Sequence, residues 1–370
     1  MKIEGFRSVG AQSVSPKCPI VFSGRREEMM RILVLGGTRF IGPPAVRRLA
    51  ALGHEVTVFH RGQSQADLSA AVHHLTGDRK EWATHAATLR ALAPELVLDM
   101  MLLGEADAQQ VVETFRGVAR RLVAISSVDV YRAYDRFRGA DPGPPDPTPL
   151  TEDSPLRGQL YPYRAMVSGP EDRMYHYDKI LMERVVLGEP TLPGTVLRLP
   201  MVYGPGDYQH RLFEYVKRMD DGRPAILLES GFAGWRAPRG YVEDLGAAIA
   251  SAVIDDRAAG RIYHVGDTLN RTEAEWVRQI GDVIGWRGEI VTLPNERLPA
   301  SLHHQYDPAQ DLALDTTRIR QELGYKEHTP PDEALRRTIA WERANPPQQL
   351  NAAQFDYTAE DAVLKEIGVG

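Results

Sequence analysis

Tyr175 and Lys179 stand four residues apart in a stretch, 171–187, whose spacing predicts a helix, so both side chains would share one face, a turn apart. An ammonium beside a phenol favours the phenolate and draws the hydroxyl's pKa down from its ordinary ~10, so that it can trade a proton with an alcohol near neutral pH. That is general acid/base chemistry. The bland alternative is a tyrosine packed on a neighbouring helix and a solvated lysine. Upstream, an apolar run ends in Ser126 and Ser127, and a hydroxyl at the carboxyl end of such a strand could hold a substrate oxygen.

A second chemical element is R-I-L-V-L-G-G-T-R-F-I-G, Arg31 to Gly42. Its apolar half predicts a strand buried on both faces, running straight into glycines. Gly36 and Gly42 are the outer positions of a dinucleotide fingerprint, and the helical spacing after them ends at Gly53. The amides of Phe40 and Ile41 would then meet a pyrophosphate at the positive end of that helix, and Pro43 and Pro44 suit its first turn. The central glycine of the pattern is replaced by Arg39, and the next strand ends in His60-Arg61 where an NAD site offers Asp or Glu. Arg39 and Arg61 therefore point to the 2′-phosphate of NADP. The alternative is that Arg61 faces solvent and the site takes either cofactor.

Elements of two kinds must position these groups. Apolar runs at Ile32–Leu35, Val56–Phe59, Val72–Leu75, Leu96–Met100, Arg121–Ser126 and Thr195–Leu199 alternate with helical stretches near 44–52, 82–92, 105–117 and 171–187. This alternation predicts an α/β fold with a doubly wound parallel sheet. Asp141 to Pro155 is too proline-rich for regular structure and predicts a loop, ordered on the surface or closing over a site. The second half predicts helices at about 209–220, Glu273–Ile284 and Asp332–Glu342, with strands at Ala225–Leu228 and Arg261–Val265. The expected division is a leader over 1–30, a dinucleotide-binding domain over 31–200 plus about 240–265, a smaller discontinuous substrate domain over about 201–239 and 266–347, and a tail over 348–370.

Composition narrows the partners. A net charge of −6 carries no basic footprint, which counts against nucleic acid or an anionic membrane. Cys18 is the only cysteine, excluding an intrachain disulfide and a cysteine metal cluster and fitting a reducing, cytoplasmic setting. No apolar run approaches a membrane span, and no metal site is expected.

The chain resembles the extended short-chain dehydrogenase/reductase superfamily, in its NAD-dependent epimerase/dehydratase group, from about Arg31 to Tyr325. Beside G-G-T-R-F-I-G, the segments that carry the likeness are G-D-R at 77–79, L-V-L-D-M-M at 96–101, I-S-S-V-D-V-Y at 125–131, Y-H-Y-D-K-I-L-M-E at 175–183 and R-L-P-M-V-Y-G-P-G at 198–206. R-G-Y-V-E-D at 239–244, Y-H-V-G at 263–266 and D-T-T-R-I-R-Q-E-L-G-Y at 315–325 follow in order. The resemblance implies a Rossmann-type domain in which Gly36, Thr38, Arg39, Phe40, Ile41 and Gly42 hold the pyrophosphate and Asp78 the adenine. Met100 and Met101 would lie along a ribose and Pro200 near the nicotinamide, with Tyr203 opening the substrate site. It also implies Ser127, Tyr175 and Lys179 as the catalytic set, Lys179 additionally holding the nicotinamide ribose.

Asp129, two past Ser127, would share its face if strand alternation continued, and matches a carboxylate that removes a proton in resembling dehydratases; the alternative is a turn cap. Arg236 and Arg239 are candidate grips for a substrate phosphate or carboxylate; the alternative is that they are ordinary surface arginines, which are common in this chain. The expected activity is reversible hydride transfer at a secondary alcohol of a sugar or nucleotide-sugar-like substrate, with NADP or NAD as cofactor and NADP favoured. A homodimer is admitted. Because Arg39 is shared with chloroplast stem-loop RNA-binding relatives of this superfamily, the alternative is an RNA-binding or regulatory protein on the same frame.

Overall fold

Four consecutive buried residues, Ile32 to Leu35, make β1 (Arg31–Leu35) the centre of a sheet covered on both faces. The computed structural model describes residues 28–64 and 66–369; Cys18 and most of the 1–30 leader lie outside them. The other strands are β2 (Glu55–His60), β3 (His73–Thr76), β4 (Leu96–Asp99), β5 (Arg121–Ser127), β6 (Gly194–Leu199), β7 (Met201–Tyr203), β8 (Ala225–Glu229), β9 (Arg239–Tyr241), β10 (Arg261–His264) and β11 (Glu289–Leu293). Seven of them form one parallel sheet in the order β10-β6-β5-β4-β1-β2-β3. The order reverses at β1 and β4, and a crevice opens there at the carboxyl ends of the strands. This is the expected doubly wound, Rossmann-type α/β fold.

Helices α1 (Gly42–Ala51), α2 (Trp82–Ala91), α3 (Glu105–Phe115), α4 (Arg132–Phe137) and α5 (Lys179–Gly188) serve the first half. Helix α1 comes tight against the glycine turn: a Cβ on Gly42 would lie 2.3 Å from the Cα of Gly37. On the other side, helix Val242–Ile254 packs so closely that a Cβ on Gly246 would meet that of Pro44 at 2.4 Å. The second half adds two small parallel pairs, β7 with β9 and β8 with β11. One apolar cluster runs from Val34 and Val58 through Tyr203 and Trp276 to Leu335, so both halves share a core.

The proline-rich stretch is ordered by its polar groups. Arg132 donates to both carboxylate oxygens of buried Asp146, and the Asp146 amide donates to Gln310. The Leu150 amide bonds the carbonyl of Ala313 at 2.7 Å. The helix expected over 171–187 is shorter: its first turn begins at Lys179, and residues 172–177 form turns instead. No helix among the described residues is long and apolar enough to cross a membrane.

Candidate active site

The crevice holds two adjoining cavities of about 370 and 350 Å³ that share Gly36, Thr38, Arg39, Met101 and Leu103 as walls. Gly36 and Gly37 have φ of +90° and +81°, a conformation open to glycine and costly to other residues. A Cβ on Gly36 would lie 2.8 Å from Met101 Cγ, so only glycine leaves the floor clear. Phe40 and Ile41 line the second cavity just before α1 begins; within α1 the Gly42 amide donates to the Arg39 carbonyl at 2.9 Å and Pro43 and Pro44 carry no amide hydrogen, so an anion there would meet the amides of the turn rather than those of the helix. Gly42 serves the turn by its close approach rather than by lining either cavity.

Asp78 and Arg61 line the first cavity, together with Lys80 and Arg173, which the sequence did not single out. Arg39, Arg61, Lys80 and Arg173 form no ion pair with any described residue. Arg79, by contrast, is spent on Asp99, donating to its two oxygens at 2.9 and 2.7 Å. Asp99 in turn accepts from the amide of Met101, turning the chain after β4 so that Met100 and Met101 reach the cavity wall.

The second cavity holds the candidate acid/base groups, and here the expected pair is corrected. Ser127, Lys179 and Pro200 line it, but the tyrosine beside them is Tyr177, not Tyr175. Asp178 explains the change. Its carboxylate caps α5 by accepting from the amides of Ile180 and Leu181, and its own backbone is extended (φ −156°, ψ 103°). Residues two apart across an extended position point the same way, so Tyr177 and Lys179 both enter the cleft. Tyr175 lies before the cap in a turn, its ring against the Arg164 guanidinium at 4.7 Å, outside both cavities. Arg157, wholly buried, holds Asp178 at 3.2 Å and donates to the carbonyl of Asp129. Asp178 was the available sequence signal: an Asp directly before K-I-L-M reads as a helix start.

Tyr177 donates its hydroxyl to Asp129 Oδ2 at 2.7 Å and lines the same cavity as Ser127. Asp129 does not share a strand face with Ser127. The strand ends at Ser127, whose Oγ accepts from the amide of Asp129 and starts a 3₁₀ turn that swings the carboxylate round. Tyr163 donates to the same oxygen at 3.0 Å, and Oδ1 is buried without a hydrogen-bond partner among the described residues. Lys179 donates to the carbonyls of Leu102 and Ile125, its nitrogen 5.7 Å from the centre of the Tyr177 ring.

Three substrate candidates are elsewhere. Arg239 is buried, paired with Glu273 and stacked over Trp276 at 4.6 Å, so its charge is already neutralised. Arg236 donates to the carbonyl of Asn270 at 2.8 Å and lines neither cavity. Tyr203 packs in the core against Tyr241 and Trp276. Arg236 and Arg239 were candidates by residue type and Tyr203 by resemblance; Arg239 and Tyr203 are absorbed by packing in the second half, whereas Arg236 is part-exposed and tied to Asn270.

Electrostatics separate the two reactive groups. Burial pushes the Tyr177 phenol well above its ordinary value, and the Asp129 charge pushes the same way, so the hydroxyl stays protonated at neutral pH. This reverses the expected lowering by lysine. Burial also drops Lys179 to about 8, against the pull of Asp129, Asp99 and Glu183. In the unfolded chain that lysine holds its proton up to ~10.4. Between about 8 and that value the unfolded state binds more protons, so stability rises with pH there, and the cost of the buried ammonium is fully present below about 8. Urea unfolding at stepped pH should show wild type gaining stability relative to Lys179→Met across this window. A flat difference would mean that Lys179 titrates as if exposed.

Comparison with known proteins follows the same lines. A family model described as the NAD dependent epimerase/dehydratase family matches residues 32–266. The chain is 30% identical over 326 residues to a 3-diazoavenalumate denitrifying reductase from a Streptomyces species, spanning 80% of this chain and 96% of that one. It is 28% identical over 277 residues to 2′-dehydrokanamycin reductase of Streptomyces kanamyceticus, spanning 73% of this chain and 71% of that one. A UDP-glucose-4-epimerase structure from Stenotrophomonas maltophila, with bound NAD and formylated UDP-arabinopyranose, aligns with a TM-score of 0.64 at 18% identity, over 85% of this chain and 98% of that one. At that identity the likeness speaks for the fold.

Proposed function

Because the chain belongs to the NAD-dependent epimerase/dehydratase family, we propose that it is an NADP-linked reductase that returns a ketone of a sugar-like substrate to the secondary alcohol. The observation that carries this is the placing of a protonated phenol, Tyr177, beside Ser127 and Lys179 in the cavity next to the glycine turn. Two similar proteins are reductases by name, which supports the direction.

The residues present fit a nicotinamide dinucleotide. Gly36 to Ile41 would take the pyrophosphate, Asp78 and the free cations the adenosine end, and Lys179, Met100 and Pro200 the nicotinamide ribose. When bound, that cofactor supplies the hydride. Ser127 would orient the ketone oxygen, and Tyr177 would give that oxygen its proton. Asp129, accepting from both Tyr177 and Tyr163, offers the phenol a route to regain a proton from outside. Lys179 keeps a positive charge near the ring up to about pH 8 and so opposes the neighbouring carboxylate. A cytoplasmic setting belongs to the same proposal and rests on the cysteine count. RNA binding is the weaker reading, since the unpaired cations rim a cavity of nucleotide size rather than forming a surface stripe.

The test is turnover of a panel of keto-sugars with reduced cofactor, followed by loss of the nicotinamide absorbance, alongside binding titrations. NADPH should bind at least about tenfold more tightly than NADH, one charge-assisted phosphate contact being sufficient for that. Equal affinities would remove the NADP assignment, and no turnover of any ketone would remove the reductase assignment.

A further inference from the structure

The segment entering α5 crosses the whole crevice. Arg173 and His176 line the adenosine cavity, and Tyr177 and Lys179 line its neighbour, so one short stretch touches both halves. It is pressed down at a single point: a Cβ on Gly104 would lie 2.3 Å from the carbonyl oxygen of His176, and the Asp178 amide bonds the Leu103 carbonyl at 2.9 Å. Beyond that point the inner end is locked by the buried Arg157–Asp178 pair. The outer end is held by turn hydrogen bonds, Tyr175 to Asp172 and Tyr177 to Met174, and by Arg164, which donates to the Tyr175 carbonyl at 3.2 Å, while Glu171, Asp172, Arg173 and His176 are exposed. Such a stretch opens locally at small cost.

Arg173 makes no ion pair with a described residue, although it faces the same cavity as Arg39, Arg61 and Lys80. The hollow is also lined by the carboxylates of Asp78 and Asp107, but the four unpaired cations outnumber them, and the surplus positive charge favours an added anion. Arg39 follows the glycine turn and Arg61 follows β2, so both belong to the frame, whereas Arg173 comes from the segment that carries Tyr177.

The geometry points to residues 172–177 as a cofactor clasp: a 2′-phosphorylated adenosine in the first cavity engages Arg173 and, through the turn that follows, orders Tyr177 in the second. This rests on the reading of the crevice as an NADP site and adds to it a selecting residue outside the βαβ unit. The clasp also makes the phenol's position depend on which cofactor is present.

The experiment uses the full chain with adenosine 2′,5′-bisphosphate and adenosine 5′-monophosphate, probes that differ only in the 2′-phosphate and do not extend to Tyr177. Calorimetry gives affinity, and amide hydrogen exchange follows residues 174–178. Wild type should bind the bisphosphate more tightly and slow exchange at 174–178. Arg173→Ala should lose about tenfold in bisphosphate affinity, keep its monophosphate affinity, and show no added protection; Arg173→Lys should recover part of both effects. Arg173 is exposed and unpaired, so these variants keep the fold. If wild type prefers the bisphosphate but Arg173→Ala binds it equally well, or if exchange at 174–178 does not change in wild type, the clasp is wrong while the NADP reading stands. If wild type does not discriminate between the probes, the NADP reading falls and the clasp with it.

Discussion

Tyr177→Phe is expected to lower kcat by roughly 10²–10⁴-fold, the usual contribution of a positioned proton donor, while Tyr175→Phe should stay within about threefold of wild type, as substitutions away from a site do. The contrast follows from the start of α5. If residues 171–187 were one helix, Tyr175 would lie a turn from Lys179 and the phenylalanine effects would be exchanged. Instead the Asp178 carboxylate takes the amides of Ile180 and Leu181, the helix begins at Lys179, and the extended residue before it turns Tyr177 into the cavity. The substitution removes only the hydroxyl and with it the bond to Asp129. Cofactor binding should therefore survive in Tyr177→Phe, with the loss confined to kcat. Steady-state kinetics of both variants on one reducible ketone decides the matter, and a larger loss for Tyr175→Phe would return the acid/base role to the original pair.

The largest expected effect on stability is at Glu183. It accepts from Ser126 at 2.5 Å and takes two bonds from Arg198, at 3.0 and 2.6 Å, with both members of the ion pair buried. Arg198 continues the network to the Tyr131 hydroxyl, which meets His264 Nε2 at 2.5 Å. The pair thus ties α5, β5, β6 and β10 together beneath the reactive cavity. Glu183→Gln keeps the shape but leaves the guanidinium buried without its counter-charge, a loss of about 3–5 kcal/mol for pairs of this kind. Urea unfolding should show a lower midpoint with an unchanged slope. Exchanging both partners for apolar residues should cost much less, because no charge is then stranded. A Glu183→Gln variant as stable as wild type would show that water reaches Arg198.

Much of this protein is legible along the chain because the causes are local. An apolar run into two glycines at positive φ makes a strand and a turn wherever it occurs, and the alternation of runs and amphipathic stretches is enough to wind a parallel sheet. The glycine turn, Ser127 at the end of β5 and Lys179 at the start of α5 could all be named from such signals. Other assignments depended on partners far away in sequence. Arg239 has the residue type of an anion grip, but Glu273, 34 positions on, has already taken its charge. Tyr203 has the type of a substrate contact, yet it is closed into the core by Trp276.

The same division holds at the reactive centre. The order of residue types dictated a glycine turn and a tyrosine and lysine at one strand edge. Which tyrosine, and in which protonation state, was decided only when Arg157 folded back onto Asp178 and Asp129 was buried beside the phenol. Spacing along a chain sets which residues can be neighbours, whereas the direction of a side chain and the charge it faces depend on what the distant chain packs around it.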